Sequence, residues 1–395
     1  MRFCNFHDML NPIVPNILCC ISFVMLGLAA CQQASKGGNS DTPCQIDTTG
    51  QRTLPITDEM IDFHPNAQTV EINGIPTILT YNNLQGSNAL QALNAINGGA
   101  TIPSIRFAQE GKEALTQLTN FFFHNPDSIF VASPYYLGLV NAQGDVLFKQ
   151  PINRESVKMD GIDFAEKLIT SGADSPLYYN AAENCLYVGL RSAQYDIFQD
   201  GFYEGAIAAK IHLNEWRVAE LPIFYPERLQ KERFSTLKTP DITFLSDRIV
   251  YGFRYAATVY VYDLRSEQTQ VFPCASNFTK NEAEPLVMPT FDQNVLNKYN
   301  AVNPAFFRMT YDPYRQVWYR AHFSENYGEE NGIFGKNETF LSVWSNEFEP
   351  LTELRLPWNL NPLALFPTRE GLLLYNLEKI DENVARYQLY RLACK

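Results

Sequence analysis

Three arginines are the residues of this sequence whose type and spacing most directly suggest chemistry. They close the segments Tyr187-Val-Gly-Leu-Arg191, Val250-Tyr-Gly-Phe-Arg254 and Val317-Trp-Tyr-Arg320, at nearly regular intervals. A planar guanidinium makes paired, charge-assisted hydrogen bonds to a carboxylate or phosphate. Arginines in one slot of a repeat therefore predict an anion- or ligand-binding site built from Arg191, Arg254 and Arg320. Tyr255, His322 and the aromatic stretch Tyr195–Tyr203 stand nearby to stack or hydrogen-bond. The competing expectation is structural, each arginine pairing with a carboxylate of the next repeat.

Other chemistry finds no pattern to carry it. His64, His124, His212 and His322 have no second His, Cys or carboxylate at metal-ligand spacing. His124 reads as a turn residue and His212 as a strand residue. There is no Gly-x-Ser-x-Gly elbow, no His-Glu-x-x-His and no glycine-rich phosphate loop. No catalytic residue, metal or cofactor is predicted. A formal charge of -12 without a basic stripe excludes nucleic acid as a partner.

The elements that must position these arginines are short strands. Apolar runs rich in Tyr and Phe alternate with turn residues, an all-β signature. One hairpin recurs: Asn120–Ala132, Leu177–Leu190, Ile242–Phe253, Phe307–Tyr319 and Leu363–Tyr375, each with turn chemistry at its centre. A second hairpin follows each copy, and four strands per unit make a propeller blade. A further unit spans Thr69–Ala108, with Asn73-Gly74 as a strong hairpin signal. The expectation is a six-bladed β-propeller of four-stranded antiparallel blades, with seven blades, a β-sandwich or two β-domains as alternatives. The last copy supplies three strands, so Gln51–Thr57 is expected to complete it and remove the open edges. Short helices are expected at Ser156–Ser171 and Phe224–Thr239, and a long loop at Lys280–Val302.

The N-terminal end reads as an address. Ile17–Ala30 is apolar, too short to span a bilayer comfortably, and closes on Leu28-Ala-Ala-Cys31. That ending resembles the lipobox of bacterial lipoproteins, with Cys31 the acylated first residue and the bilayer its partner. An ordinary secretory signal and an uncleaved anchor are the alternatives. Residues 1–30 are then the signal peptide, 31–50 a polar tether and 51–395 the propeller. Of the remaining cysteines, Cys44, Cys185, Cys274 and Cys394 show no disulfide framework in their spacing, and Cys185 and Cys274 read as buried thiols.

The lipobox, the tether, the blade rhythm seen in Asn125-Pro-Asp-Ser-Ile-Phe-Val-Ala132 and the terminal strand with Cys394 together resemble the TolB-like six-bladed propeller lipoproteins of unknown function of Bacteroidota. The resemblance covers the mature chain and implies fold and location; it brings no catalytic residues. Gln32 after Cys31 favours the outer membrane of the cell envelope. The function expected is non-enzymatic binding of a partner protein, peptide, glycan or anionic ligand on a loop-rich face. A carbohydrate-active hydrolase or lyase and an envelope scaffold are the rivals.

Overall fold

A computed structural model describes residues 44–394 except 57–65, 83–87, 288–289, 291, 326–328, 331–332, 335–336, 379–380 and 382. The predicted signal peptide, Cys31, most of the tether and His64 lie outside the described residues.

Six four-stranded antiparallel blades follow one another along the chain. Blade 1 is Gln68–Ile72, Ile75–Asn82, Ala89–Asn94 and Ile105–Arg106. Blade 2 is Asn120–Asn125, Ser128–Ala132, Tyr136–Val140 and Val146–Pro151. Blade 3 has an inner strand in two pieces, Lys167–Thr170 and Tyr178–Asn180, then Cys185–Ser192, Ala208–His212 and Arg217–Glu220. Blade 4 is Pro240–Phe244, Arg248–Phe253, Val259–Asp263 and Gln268–Phe272. In blade 5 the inner strand is again split, Ala305–Phe306 and Thr310–Asp312, before Val317–Phe323, Thr339–Ser345 and Pro350–Leu356. Blade 6 takes Leu360–Thr368, Gly371–Asn376 and Val384–Cys394 from the C-terminal end and Cys44–Pro55 from the N-terminal end.

The pattern of buried residues explains the ring. The second strand Ser128–Ala132 is buried on both faces, whereas the outer strand Val146–Pro151 alternates between half-buried and exposed residues. Successive strand residues point to opposite faces, so Ile129 and Val131 pack against blade 1 while Phe130 and Ala132 pack against blade 3. Six separate cores result, one per interface between blades, the last joining Leu54, Phe366 and Leu373 of blade 6 to Ile78 and Leu93 of blade 1. Six interfaces for six blades exclude a seventh. Locally the turns obey the sequence: Asn73 and Gly74 have φ of 54° and 77°, the left-handed pair that a two-residue hairpin needs.

Three expectations change. The closing strand begins at Cys44, not Gln51, because its register against Val384–Cys394 runs to a Cys44–Cys394 disulfide. Ser156–Ser171 forms turns and a strand rather than a helix, its apolar residues Met159, Phe164 and Ile169 being spent on the core between blades 2 and 3. Lys280–Val302 contains the helix Gln293–Val302, started by Asp292, whose side chain accepts the Asn294 N–H. Phe224–Thr239 does carry the short helix Glu227–Lys231. Cys185 and Cys274 are free and buried, and burial pushes their thiols up to about 11 and about 12, which keeps them protonated. Among the described residues no helix is long and apolar enough to cross a membrane.

The disulfide spans 350 residues of chain. Replacing Cys44 and Cys394 by Ser is expected to lower stability by about 2–5 kcal/mol in chemical denaturation, with the wild type falling to the variant's midpoint on reduction.

Candidate functional site

Arg191, Arg254 and Arg320 do not line one pocket, and strand register explains why. The first ladder pair of each inner hairpin is Asn180 with Cys185, Phe244 with Ile249, and Asp312 with Val317. Counted from those pairs, the arginines stand six, five and three residues along. An odd offset changes the face, and two residues displace a side chain by about 6–7 Å. Arg191 is exposed. Arg320 is 2 % exposed and threads between blades 4 and 5, where it donates to the carbonyls of Phe307 (2.9 Å), Ala256 (3.3 Å) and Ala257 and lies over the Phe306 ring. Gly252 makes room for it, since a Cβ there would stand 3.1 Å from Nη2. Arg254 pairs with Asp241 at 3.1 Å and with Asp174 of the neighbouring blade.

The companions Tyr255 and His322 are also interior. Tyr255 packs on Phe234, and burial pushes its hydroxyl up. His322 is sandwiched between Phe306 and Phe340, with Nε2 3.1 Å from both Ser276 Oγ and Glu353 Oε1. Ser, His and an acid meet here, but a catalytic triad needs hydroxyl and carboxylate on opposite ring nitrogens. Both are on Nε2, and Nδ1 has no partner among the described residues. Ser276 Oγ also accepts the N–H groups of Phe278 (3.0 Å) and Thr279 (3.3 Å), and Glu353 accepts the Asn277 N–H (2.9 Å). The group pins the loop after blade 4 onto blade 5. Burial raises the Glu353 carboxyl, but the hydrogen bonds from His322, Ser276 and Asn277 outweigh it and hold the group below the usual range.

A cavity of about 760 Å³ runs along the ring axis, bounded by residues of the inner strands of all six blades. Its sides include Phe122, Tyr178, Phe244, Met309 and Tyr311, and residues of the inner turns, such as Asp247 and Tyr314, edge one end. At the other end Asp174, Asp241, Arg254 and Arg308 gather around a space of only about 40 Å³. Burial pushes the Asp241 carboxyl up to about 6 against the pull of Arg254. Arg308 borders both spaces and reaches past blade 4 to donate to Ala173 O of blade 3. Sequence reading missed Arg308, Asp174 and Asp241, which come from three blades. Their one local signal is a charge on an inner strand or at its start, among apolar neighbours.

The fold and the axial cavity define a six-bladed β-propeller with a ligand-sized interior. Residues 56–355 match the domain of unknown function DUF4221, and the chain belongs to that family. It is similar to the crystal structure of a DUF4221 member from Bacteroides vulgatus ATCC 8482, with a TM-score of 0.72 and 18 % identity over 90 % of this chain and 99 % of that one. It is also similar to a candidate exported protein of Bacteroides fragilis NCTC 9343, with a TM-score of 0.54 and 10 % identity over 90 % and 97 % of the two chains. No curated protein matches the sequence.

Two outcomes separate structural from surface roles. Arg320→Leu strands three carbonyls and is expected to cost about 3 kcal/mol, whereas Arg191→Ala stays within about 0.5 kcal/mol, both read from urea midpoints. Because Glu353 binds its proton less readily folded than unfolded, its contribution is present at neutral pH and fades as pH falls below the ordinary glutamate value of about 4.3. Glu353→Gln should therefore be less stable than wild type at pH 7, with the gap narrowing in acid.

Proposed function

We propose that the protein is an exported, lipid-anchored and non-enzymatic binding protein of the cell envelope, and that its ligand occupies the axial cavity. The observation that carries this reading is the cavity itself. Its volume of about 760 Å³ is in the range of small-molecule sites, and its walls mix aromatic rings with amide and guanidinium groups. Export is supported by the apolar run ending in Leu28-Ala-Ala-Cys31 and by the Cys44–Cys394 bond, which fits an oxidising compartment. The fold likeness to a candidate exported protein adds to it. Carbohydrate cleavage is the weaker reading. Asp174 and Asp241 both pair with Arg254, and the space of about 40 Å³ beside them admits a water but no sugar ring.

Leu365 lies where the cavity narrows toward Arg308. In a thermal-shift screen of small aromatic and polar compounds on the full chain, ligands that raise the wild-type Tm should lose their effect in Leu365→Trp. An unchanged response in that variant would move binding to the outer loops. Metabolic palmitate labelling should mark wild type and not Cys31→Ser; label retained in the variant would remove the anchor.

A further inference from the structure

Of the two cations in the axial charge group, Arg254 is ion-paired and Arg308 makes no carboxylate contact among the described residues. Arg254 holds both Asp241 and Asp174, the former through Nε at 3.1 Å and Nη2 at 3.3 Å. Arg308 makes a single hydrogen bond among the described residues, from Nη1 to Ala173 O. A guanidinium carries five N–H donors. Its side chain is only partly buried, and the surface it keeps faces the cavity it lines. Burial lowers its pKa, which the two aspartates only partly offset, so the cation is poorly compensated where it stands. A partly buried charge short of partners is costly unless water or a bound group completes it.

We infer that the cavity takes a small organic monoanion whose carboxylate docks on the free donors of Arg308, with an aromatic or apolar body between the rings of Tyr178, Phe244 and Tyr311. This deepens the reading of the axial cavity as the binding site and rests on it. The donor count sets the class. Arg254 already holds both Asp174 and Asp241, whereas Arg308 spends one donor on Ala173 O, which leaves one guanidinium fork to meet one carboxylate. A doubly charged phosphate would face Asp241 and Asp174 with no second free cation lining the space among the described residues. The body of the ligand follows from the walls, where Phe122, Tyr178, Phe244, Met309 and Tyr311 offer apolar surface.

The test uses the full chain in detergent, with acetate, benzoate, phenylacetate and indole-3-acetate, the amide of each, and inorganic phosphate as probes, read by thermal shift and titration calorimetry. At least one aromatic carboxylate should bind about tenfold or more tightly than its amide, the ratio expected of a charge-assisted pair. That preference should vanish in Arg308→Met and shrink in Arg308→Lys, which keeps the charge and loses the fork. Arg308→Lys also guards against a misfolded Arg308→Met. Carboxylates no better than their amides, phosphate binding more tightly than every carboxylate, or a preference unchanged in both variants would each overturn the inference. If amides and carboxylates bind alike and both are lost in Leu365→Trp, the cavity remains the site and only the anion assignment falls. If binding survives Leu365→Trp, the cavity reading itself falls.

Discussion

A propeller brings six strand edges to its axis, and the backbone groups on those edges have no further strand to pair with. An unpaired edge is an invitation to aggregation, and an unpaired buried amide is costly. In this chain side chains of one blade serve the next. The Gln68 amide accepts the Phe123 N–H at 3.2 Å and donates to Phe121 O, replacing a missing strand across the first interface. Asn120 donates to Gly172 O at 2.7 Å across the second, Asn180 to Ser246 O across the third and Thr243 to Met309 O across the fourth. Arg315 donates to Thr368 O at 2.9 Å across the fifth. The apolar cores hold neighbouring blades together, and these polar ties join their inner strands around the axial space.

The same constraint explains why the charges gather where they do. Arg254, Asp174, Asp241 and Arg308 lie near the end of the cavity where the inner strands begin. Arg308 satisfies Ala173 O two blades away, as the amides do for adjacent blades, but a guanidinium has donors left over after one carbonyl. A tie that began as backbone satisfaction thereby leaves a cation facing the interior. Arg320 shows the other outcome: enclosed by three carbonyls and the room beside Gly252, it is consumed by structure.

The fold was legible in the sequence because each blade writes its own signature. A stretch such as Ile129-Phe-Val-Ala132 is apolar at every position because both its faces are covered, and the Asn73-Gly74 turn can be read from two residues. The arginine slot was misread because apolar runs align equally well when slid, and only the ladder reveals offsets of six, five and three. The group around Arg308 was legible only as lone charges among apolar neighbours, since Asp174, Asp241 and Arg308 are separated in sequence and meet only at the axis. The Cys44–Cys394 pairing was hidden for the same reason: no spacing rule joins residues that ring closure alone brings together.

That bond also decides how the molecule answers a mechanical load. Any force on the segment before Cys44 enters at the first rung of the ladder between Cys44–Pro55 and Val384–Cys394. Without a crosslink, an outermost strand held at one end peels, its hydrogen bonds breaking one after another. With Cys44 joined covalently to Cys394, the pull passes into the neighbouring strand before the first rung can open. A pull on that segment would then tug on two strands at once, and the ring would resist as a whole.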